Sequence, residues 1–214
     1  MNSIKLVLFS LIAGIMLSAC GAPRYFIDED WRGKPQPKSV KVVFTMPKVV
    51  VPDDLSDDLP EYTSNFAKWF GPELKQNLIT RSQNGTQYSM KLIQPNEVSY
   101  KRRELADKDF MVPSFDHIQA DADVYLVVTN TWIGREQEVR YVTTANGMMM
   151  ATTYSYFTMK CTYAFYDART KKNLGYGYAR GRNSYMFAVT RSDWETSLRY
   201  MVEDFAKEAP LFVQ

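Results

Sequence analysis

The sequence predicts an α+β domain, with a mixed, mainly antiparallel sheet packed by two long amphipathic helices. Three observations carry this expectation. Residues 123–132, DVYLVVTNTW, are apolar on both alternating faces, as a strand covered on both sides must be. Asn146-Gly147 separates two strand-like runs, 138–144 and 148–165, and is the pair that best tolerates positive φ at both central positions of a hairpin turn. Tyr62, Phe66, Trp69, Phe70, Leu74, Leu78 and Ile79 recur at spacings of three and four, as do Trp194, Leu198, Met201, Val202, Phe205 and Ala209. Each set therefore forms one stripe of a helix.

Composition bounds the function. The chain has 214 residues, 45% hydrophobic and 23% charged, with a net charge of +2. That excludes a disordered tail and a polytopic membrane protein, and it is too balanced for a partner held by a large positive field, so no nucleic acid is expected. One His and two Cys are too few for a His/Cys zinc site. No metal, cofactor or catalytic residue is predicted, and the chain is read as a non-enzyme.

Residues 1–19 carry one positive side chain, Lys5, and then an apolar run from Leu6 to Ala19. Its 14 residues would rise roughly 21 Å as a helix, short of the roughly 30 Å of a bilayer core, so the segment reads as a signal peptide. The run ends in Leu17-Ser18-Ala19-Cys20-Gly21. This resembles the lipobox of bacterial lipoproteins. The resemblance implies cleavage between Ala19 and Cys20, a diacylglycerol on the Cys20 thiol and acylation of the new amine. Two or three acyl chains anchor stably, at roughly 0.8 kcal/mol per buried methylene. Because Gly21 is not the Asp that retains such proteins at the inner membrane in enteric bacteria, the implied location is the outer membrane, facing the periplasm. Residues 20–38, with Pro23, Pro35 and Pro37, read as the lipidated Cys and a flexible tether, and 39–214 as a single globular domain. Tyr25, Phe26 and Trp31 within the tether are expected to dock on that domain.

The elements follow in order. Val40, Val42 and Phe44 alternate up to Pro47 as a first strand. Asp53, Asp54, Asp57 and Asp58 precede a helix over 61–82, where acidic side chains offset the helix dipole; Pro72 predicts a kink within it. Residues 88–93 read as a strand, and Asn96 as the cap of a short helix through Leu105, with Lys101-Arg102-Arg103 on its solvated face. The stretch 107–121 reads as variable, 123–132 as the central strand, and the 138–165 hairpin with the strand 174–182 as an antiparallel meander. A capping box at Ser192-Asp193-Trp194-Glu195 opens the last helix.

Several apparent sites resolve into structural readings. Ser114, Asp116 and His117 are too close on one short turn to stack as nucleophile, base and orienter. Gly175, Gly177 and Gly181 have the wrong spacing for a phosphate loop and read as strand glycines. The Asp53–58 cluster lacks the alternation of a calcium loop. Cys161 lies among alternating Phe157, Met159, Tyr163 and Phe165, so it reads as a small core residue.

The order of these elements, the buried strand after Ala122-Asp123, the lipobox at Leu17–Cys20 and the turn Tyr166-Asp167-Ala168-Arg169-Thr170-Lys171-Lys172-Asn173-Leu174-Gly175 together resemble an envelope-lipoprotein domain. It is shared by the curli-secretion lipoprotein and the penicillin-binding-protein activator lipoproteins, and its core resembles the anticodon-binding α/β domain. The resemblance implies a lipid-anchored, non-catalytic periplasmic protein that binds or regulates an envelope protein partner. A homo-oligomeric export or scaffold component is the second reading, and a hydrolase the third. The expected partner surface is Met148, Met149, Met150 and Tyr154 at the hairpin. If these side chains pack on the domain, the scaffold reading loses its surface; if they project, association gains one.

Overall fold

The computed structural model describes residues 24–50, 66–82, 85–143, 146–206 and 209–211. The lipobox, the Asp53–58 cluster and the expected helix start at 61–65 lie outside these residues.

The strands are β1 (Tyr25–Ile27), β2 (Ser39–Thr45), β3 (Lys48–Val49), β4 (Gln87–Ile93), β5 (Val98–Leu105), β6 (Lys108–Phe115), β7 (Val124–Thr143), β8 (Met149–Asp167) and β9 (Asn173–Ser184). The helices are α1 (Glu29–Arg32), α2 (Phe66–Arg81) and α3 (Arg191–Ala206). Seven strands form one sheet in the order β1-β9-β8-β7-β2-β4, with β3 also on β7; β5 and β6 form a separate hairpin. Strand β2 runs parallel to both β4 and β7, whereas β7, β8, β9 and β1 alternate in direction.

This architecture corrects the expected fold class. The described residues are 53% strand and 21% helical, so the protein is mostly β around one large mixed sheet and is not an α+β domain packed by two long helices. Both longer helices lie on one face. There Phe70, Leu74, Trp194, Leu198 and Met201 close a core over Val42, Leu126, Val128 and Phe165. The opposite face is covered by strand: Val112 and Phe115 of β6, with Ile118, pack over Val43, Tyr125, Val127 and Tyr166.

Two of the reasons are visible in β5 and β6. The expected short helix ending at Leu105 is a single 3-10 turn, Pro95–Glu97, followed by β5. The stretch expected to be variable is β6, paired with β5 from Val98↔Phe115 to Leu105↔Lys108. Its two-residue turn, Ala106-Asp107, has positive φ at both positions, 52° and 58°. Asp tolerates that region but Ala rarely does, so the pair gives none of the Asn-Gly signal by which such turns are read.

Other elements obey their local chemistry. Val124, Tyr125, Leu126, Val127, Val128 and Thr129 are all buried, as expected of a central strand. The Asp123 carboxylate accepts from the Lys38 and Ser39 amides at 2.8 and 3.0 Å, and so locks the start of β2 beside that of β7. Asp167 accepts from the amides of Arg169 and Thr170 at 3.0 and 2.7 Å, the Asx turn that reverses β8 into β9. In α2, Phe70, Leu74 and Leu78 are buried, whereas Ile79 is 42% exposed and falls outside the stripe.

Within the segment read as a tether, the described residues from Arg24 onward pack on the domain. Strand β1 pairs with β9, Asp28 caps α1, and Trp31 is buried with its ring 5.0 Å from Phe165.

Candidate functional site

Strands β7 and β8, 20 and 19 residues long, outrun the rest of the sheet. On one side the neighbouring strands stop at the Val49↔Ile133 pair, and on the other β9 ends at Tyr156↔Ser184. Beyond, from Glu138↔Tyr154 to Thr143↔Met149, the two strands continue with no further strand beside them among the described residues, as a two-stranded ribbon. At about 3.3 Å per residue these paired residues reach roughly 17 Å past the sheet.

Cross-strand partners share a face. One face of the ribbon carries Glu138, Arg140 and Val142 opposite Tyr154, Thr152 and Met150; the other carries Val139, Tyr141 and Thr143 opposite Thr153, Ala151 and Met149. Both faces are apolar toward the tip. Met149 is 71% and Tyr141 69% exposed, and Val139, Val142, Met148 and Met150 are exposed as well. The expected surface of Met148, Met149 and Met150 therefore projects from the domain. Tyr154 sits lower and is also exposed, with the Arg140 guanidinium 5.2 Å over its ring.

The base of the ribbon is an ionic lattice. Glu136 binds Lys160 at 2.9 Å and also pairs with Arg180, and it accepts from Thr158 at 3.1 Å. Glu138 binds Arg140 at 2.7 Å and Arg182 at 2.9 Å. The cations in turn cover aromatic rings, Lys160 over Trp132 at 4.1 Å and Arg182 over Tyr156 at 4.2 Å. Three strands are thus tied together where the ribbon leaves the sheet, and this stiffens its root.

Partial burial pushes the Glu136 carboxyl up, but hydrogen bonds from Lys160 and the charge of Arg180 outweigh it and hold the group below its ordinary range. Hydrogen bonds from Arg140 and Arg182 do the same for Glu138. Carboxylates whose folded pKa is depressed stabilise the fold above their unfolded value and lose that contribution as pH falls through the folded one. The thermal midpoint is therefore expected to fall as pH drops below 4.5, the ordinary Glu value, toward the lowered one. In Glu136→Gln the dependence should be shallower over that window, and melts recorded at a series of pH values with equal slopes for both proteins would refute the lattice's role.

An open groove of about 570 Å³ runs along the adjoining edge of β9, lined by Arg24, Arg180, Arg182, Glu138, Glu203 and Asp204 together with Tyr200. Its three cations face three carboxylates, and the Arg180 amide donates to Asp204 at 3.1 Å. The groove is internally neutralised, with no surplus charge to recruit an ion.

The remaining candidates stay apart. Asp116 accepts from Ser99 at 3.2 Å, while the His117 ring lies edge-on to Phe115 at 5.6 Å. Lys101, Arg102 and Arg103 are exposed on β5, with Arg102 paired to Asp109. Cys161 is buried in the core, and burial pushes its thiol pKa up, which disfavours the reactive thiolate. Among the described residues no group of three or more His, Cys, Asp or Glu side chains is placed to hold a metal ion. Nor is any helix among them long and apolar enough to cross a membrane. Cys20 and Ala19 lie outside the described residues.

The sequence singled out Met148, Met149, Met150 and Tyr154 by name within the hairpin, and the structure adds Val139, Tyr141 and Val142 of the facing strand to that surface. Nothing local marks them: Val139, Tyr141 and Thr143 alternate with Glu138 and Arg140 as in a strand with one buried face, and only the places where the neighbouring strands stop leave that face open. Sequence reading missed Glu136, Arg180 and Arg182 altogether, because they are scattered along the chain and meet only through register.

Fold and site together define a mostly β domain with one mixed sheet and a projecting apolar-tipped hairpin. No family model matches the chain, and no curated protein matches it. Among solved structures, the chain is similar to a neuraminyllactose-binding hemagglutinin homolog from Helicobacter pylori, at 12% identity, TM-score 0.35, covering 83% of this chain and 86% of that one. It is similar to the PelC dodecamer from Paraburkholderia phytofirmans at 11% identity and TM-score 0.34, covering 89% and 97%. A minor lipoprotein from Acinetobacter baumannii is similar at 12% identity and TM-score 0.26, covering 81% and 89%.

Proposed function

We propose that this chain is a lipid-anchored, non-catalytic protein of the bacterial cell envelope, tethered through lipid on Cys20 to the periplasmic face of the outer membrane, and that it works by binding a protein partner through the ribbon. The projection of the ribbon is the observation that carries the reading. A domain that needed only to be stable would not expose Tyr141, Val142 and three consecutive methionines on a stiffened arm, because each exposed apolar side chain forgoes the 1.5–3 kcal/mol or so that burial contributes. Methionine suits such a surface, since its unbranched, polarizable side chain adapts to a partner's relief. The lipobox supplies the address.

The free outer edges of the ribbon favour a second reading, in which another copy of the chain extends the same strands. Neither edge meets a further strand among the described residues beyond Ile133 on one side and Ser155 on the other.

Two measurements test the proposal. Cys20→Ser is expected to move the protein from the membrane to the soluble fraction and to abolish palmitate incorporation; unchanged fractionation would overturn the anchor. Replacing Met148, Met149 and Met150 together by Ser is expected to leave the melting midpoint within about 2 °C, because surface changes are near neutral, while removing the protein captured by crosslinking in cells. Retention of that capture would overturn the ribbon's role, and a detergent-solubilised mass equal to a multiple of the chain would favour the second reading.

A further inference from the structure

The ribbon is not the most exposed apolar feature of the molecule. Between β9 and α3 the chain reads Ser184-Tyr185-Met186-Phe187-Ala188-Val189-Thr190, without a charge. Phe187 is 93% and Met186 85% exposed, the two most exposed large apolar side chains among the described residues.

The loop cannot fold these side chains inward, because both of its ends are pinned. Tyr185 packs against the core and lies under the Arg135 guanidinium at 5.5 Å, and Val189 is buried. The Asp193 carboxylate accepts from Asn183 at 2.6 Å before the loop, and from the Thr190 amide and hydroxyl at 2.8 and 2.7 Å after it. What lies between is presented outward.

Strand β1 enters the sheet from the same end of the molecule. Strand β1 is antiparallel to β9, with Tyr25 opposite Gly177, and the Tyr178 amide donates to the Arg24 carbonyl at 2.8 Å. The polypeptide therefore joins the sheet travelling against β9, from the side toward which β9 delivers the loop. Four peptide steps separate Cys20 from Arg24, a contour of at most about 14 Å. From Tyr178 to Ser184 strand β9 advances roughly 20 Å in the direction of the anchor. At full contour Cys20 comes within about 6 Å of the level of Ser184, close enough for a bilayer holding its lipid to meet the loop, whereas the turn at Arg169 lies past the other end of β9, about 36 Å from Ser184.

We propose that Met186 and Phe187 insert into the headgroup boundary of the bilayer that carries the Cys20 lipid, as a second, protein-borne membrane contact. The proposal rests on the lipidation proposed above. Apolar and aromatic side chains on an uncharged loop partition into that boundary without needing anionic lipid. Ribbon and loop leave the sheet at the same end, so this contact would present the ribbon to a partner lying on or embedded in the same membrane.

The test uses the lipidated full protein reconstituted on phosphatidylethanolamine/phosphatidylglycerol vesicles, with Phe187→Cys carrying an environment-sensitive fluorophore. Cys20 is blocked by its thioether and Cys161 is buried, so the label is confined to position 187. Arg169→Cys is the control. The expected result is a blue shift at 187 and loss of its emission to lipids bearing a quencher just below the headgroup, both insensitive to salt, with neither at 169. Flotation with the vesicles while the 187 probe stays water-like would overturn the insertion and leave the anchor standing. Emission at 187 shielded from aqueous iodide but not lost to quencher lipids would show a protein covering the loop, and would overturn it too. A chain that carries no lipid and does not float would remove the anchor, and the insertion with it.

Discussion

Gly181→Ala is expected to lower the melting midpoint by roughly 10 °C, through a loss of about 3 kcal/mol or more. A Cβ at Gly181 would stand 1.8 Å from the Ser197 carbonyl oxygen and 2.5 Å from the Met201 amide nitrogen. Both are backbone atoms of α3, so no side chain can turn aside and the helix itself must retreat from β9. The helix is also fastened there, since the buried Ser197 hydroxyl donates to the Phe157 carbonyl at 3.1 Å. Retreat would strip contacts from Leu198, Met201, Val202 and Phe205, each at most 1% exposed. Thermal denaturation followed by circular dichroism measures this. A midpoint within about 2 °C of the parent would show that the helix tolerates the displacement.

The second large effect is expected at Trp194, fully buried where α2, α3 and the sheet converge. Its ring meets Trp69 of α2 edge-on at 5.1 Å and tilts against Phe157 of β8 at 4.9 Å. Trp194→Ala removes a side chain that touches both neighbours, and the cavity should cost about 3–5 kcal/mol. Trp194→Phe keeps most of the volume and is expected to lose less than half of that. Chemical denaturation of both variants provides the check, and equal losses would mean that the site collapses around any smaller residue. The Gly181→Ala, Trp194→Ala double variant should lose less than the sum of the singles, because both act by loosening the same helix.

How much of this was legible in the sequence depends on the range of the interaction. The central strand, the Asn146-Gly147 hairpin and the Asp167 turn declare themselves through neighbours in the chain, by periodicity and by residues that accept unusual φ. Of that pair only Gly147 takes positive φ, 81°, and five residues separate the paired Thr143 and Met149, so the hairpin is where it was expected but its connection is not the two-residue turn. The β5–β6 hairpin stayed hidden because Ala106 takes the turn conformation against its local preference, offset by the pairing of the two strands and the packing of Val112 and Phe115 on the sheet. The placement of the two helices was equally illegible: amphipathic stripes report that a face is buried, not that both stripes meet the same side of one sheet. Fold class therefore went astray although most elements were expected where they occur.

For the candidate site the division is similar. By itself the sequence determined the apolar Met148–Met150 run and the lone core thiol, each written in a few contiguous residues. Tertiary structure alone decided that the methionines project and that Glu136 and Glu138 gather four cations from three strands. It also decided that Met186 and Phe187 stand at the end of the sheet from which β1 enters. Those outcomes turn on strand register and on where neighbouring strands stop, quantities set by contacts between residues far apart in the chain, to which no local pattern is sensitive.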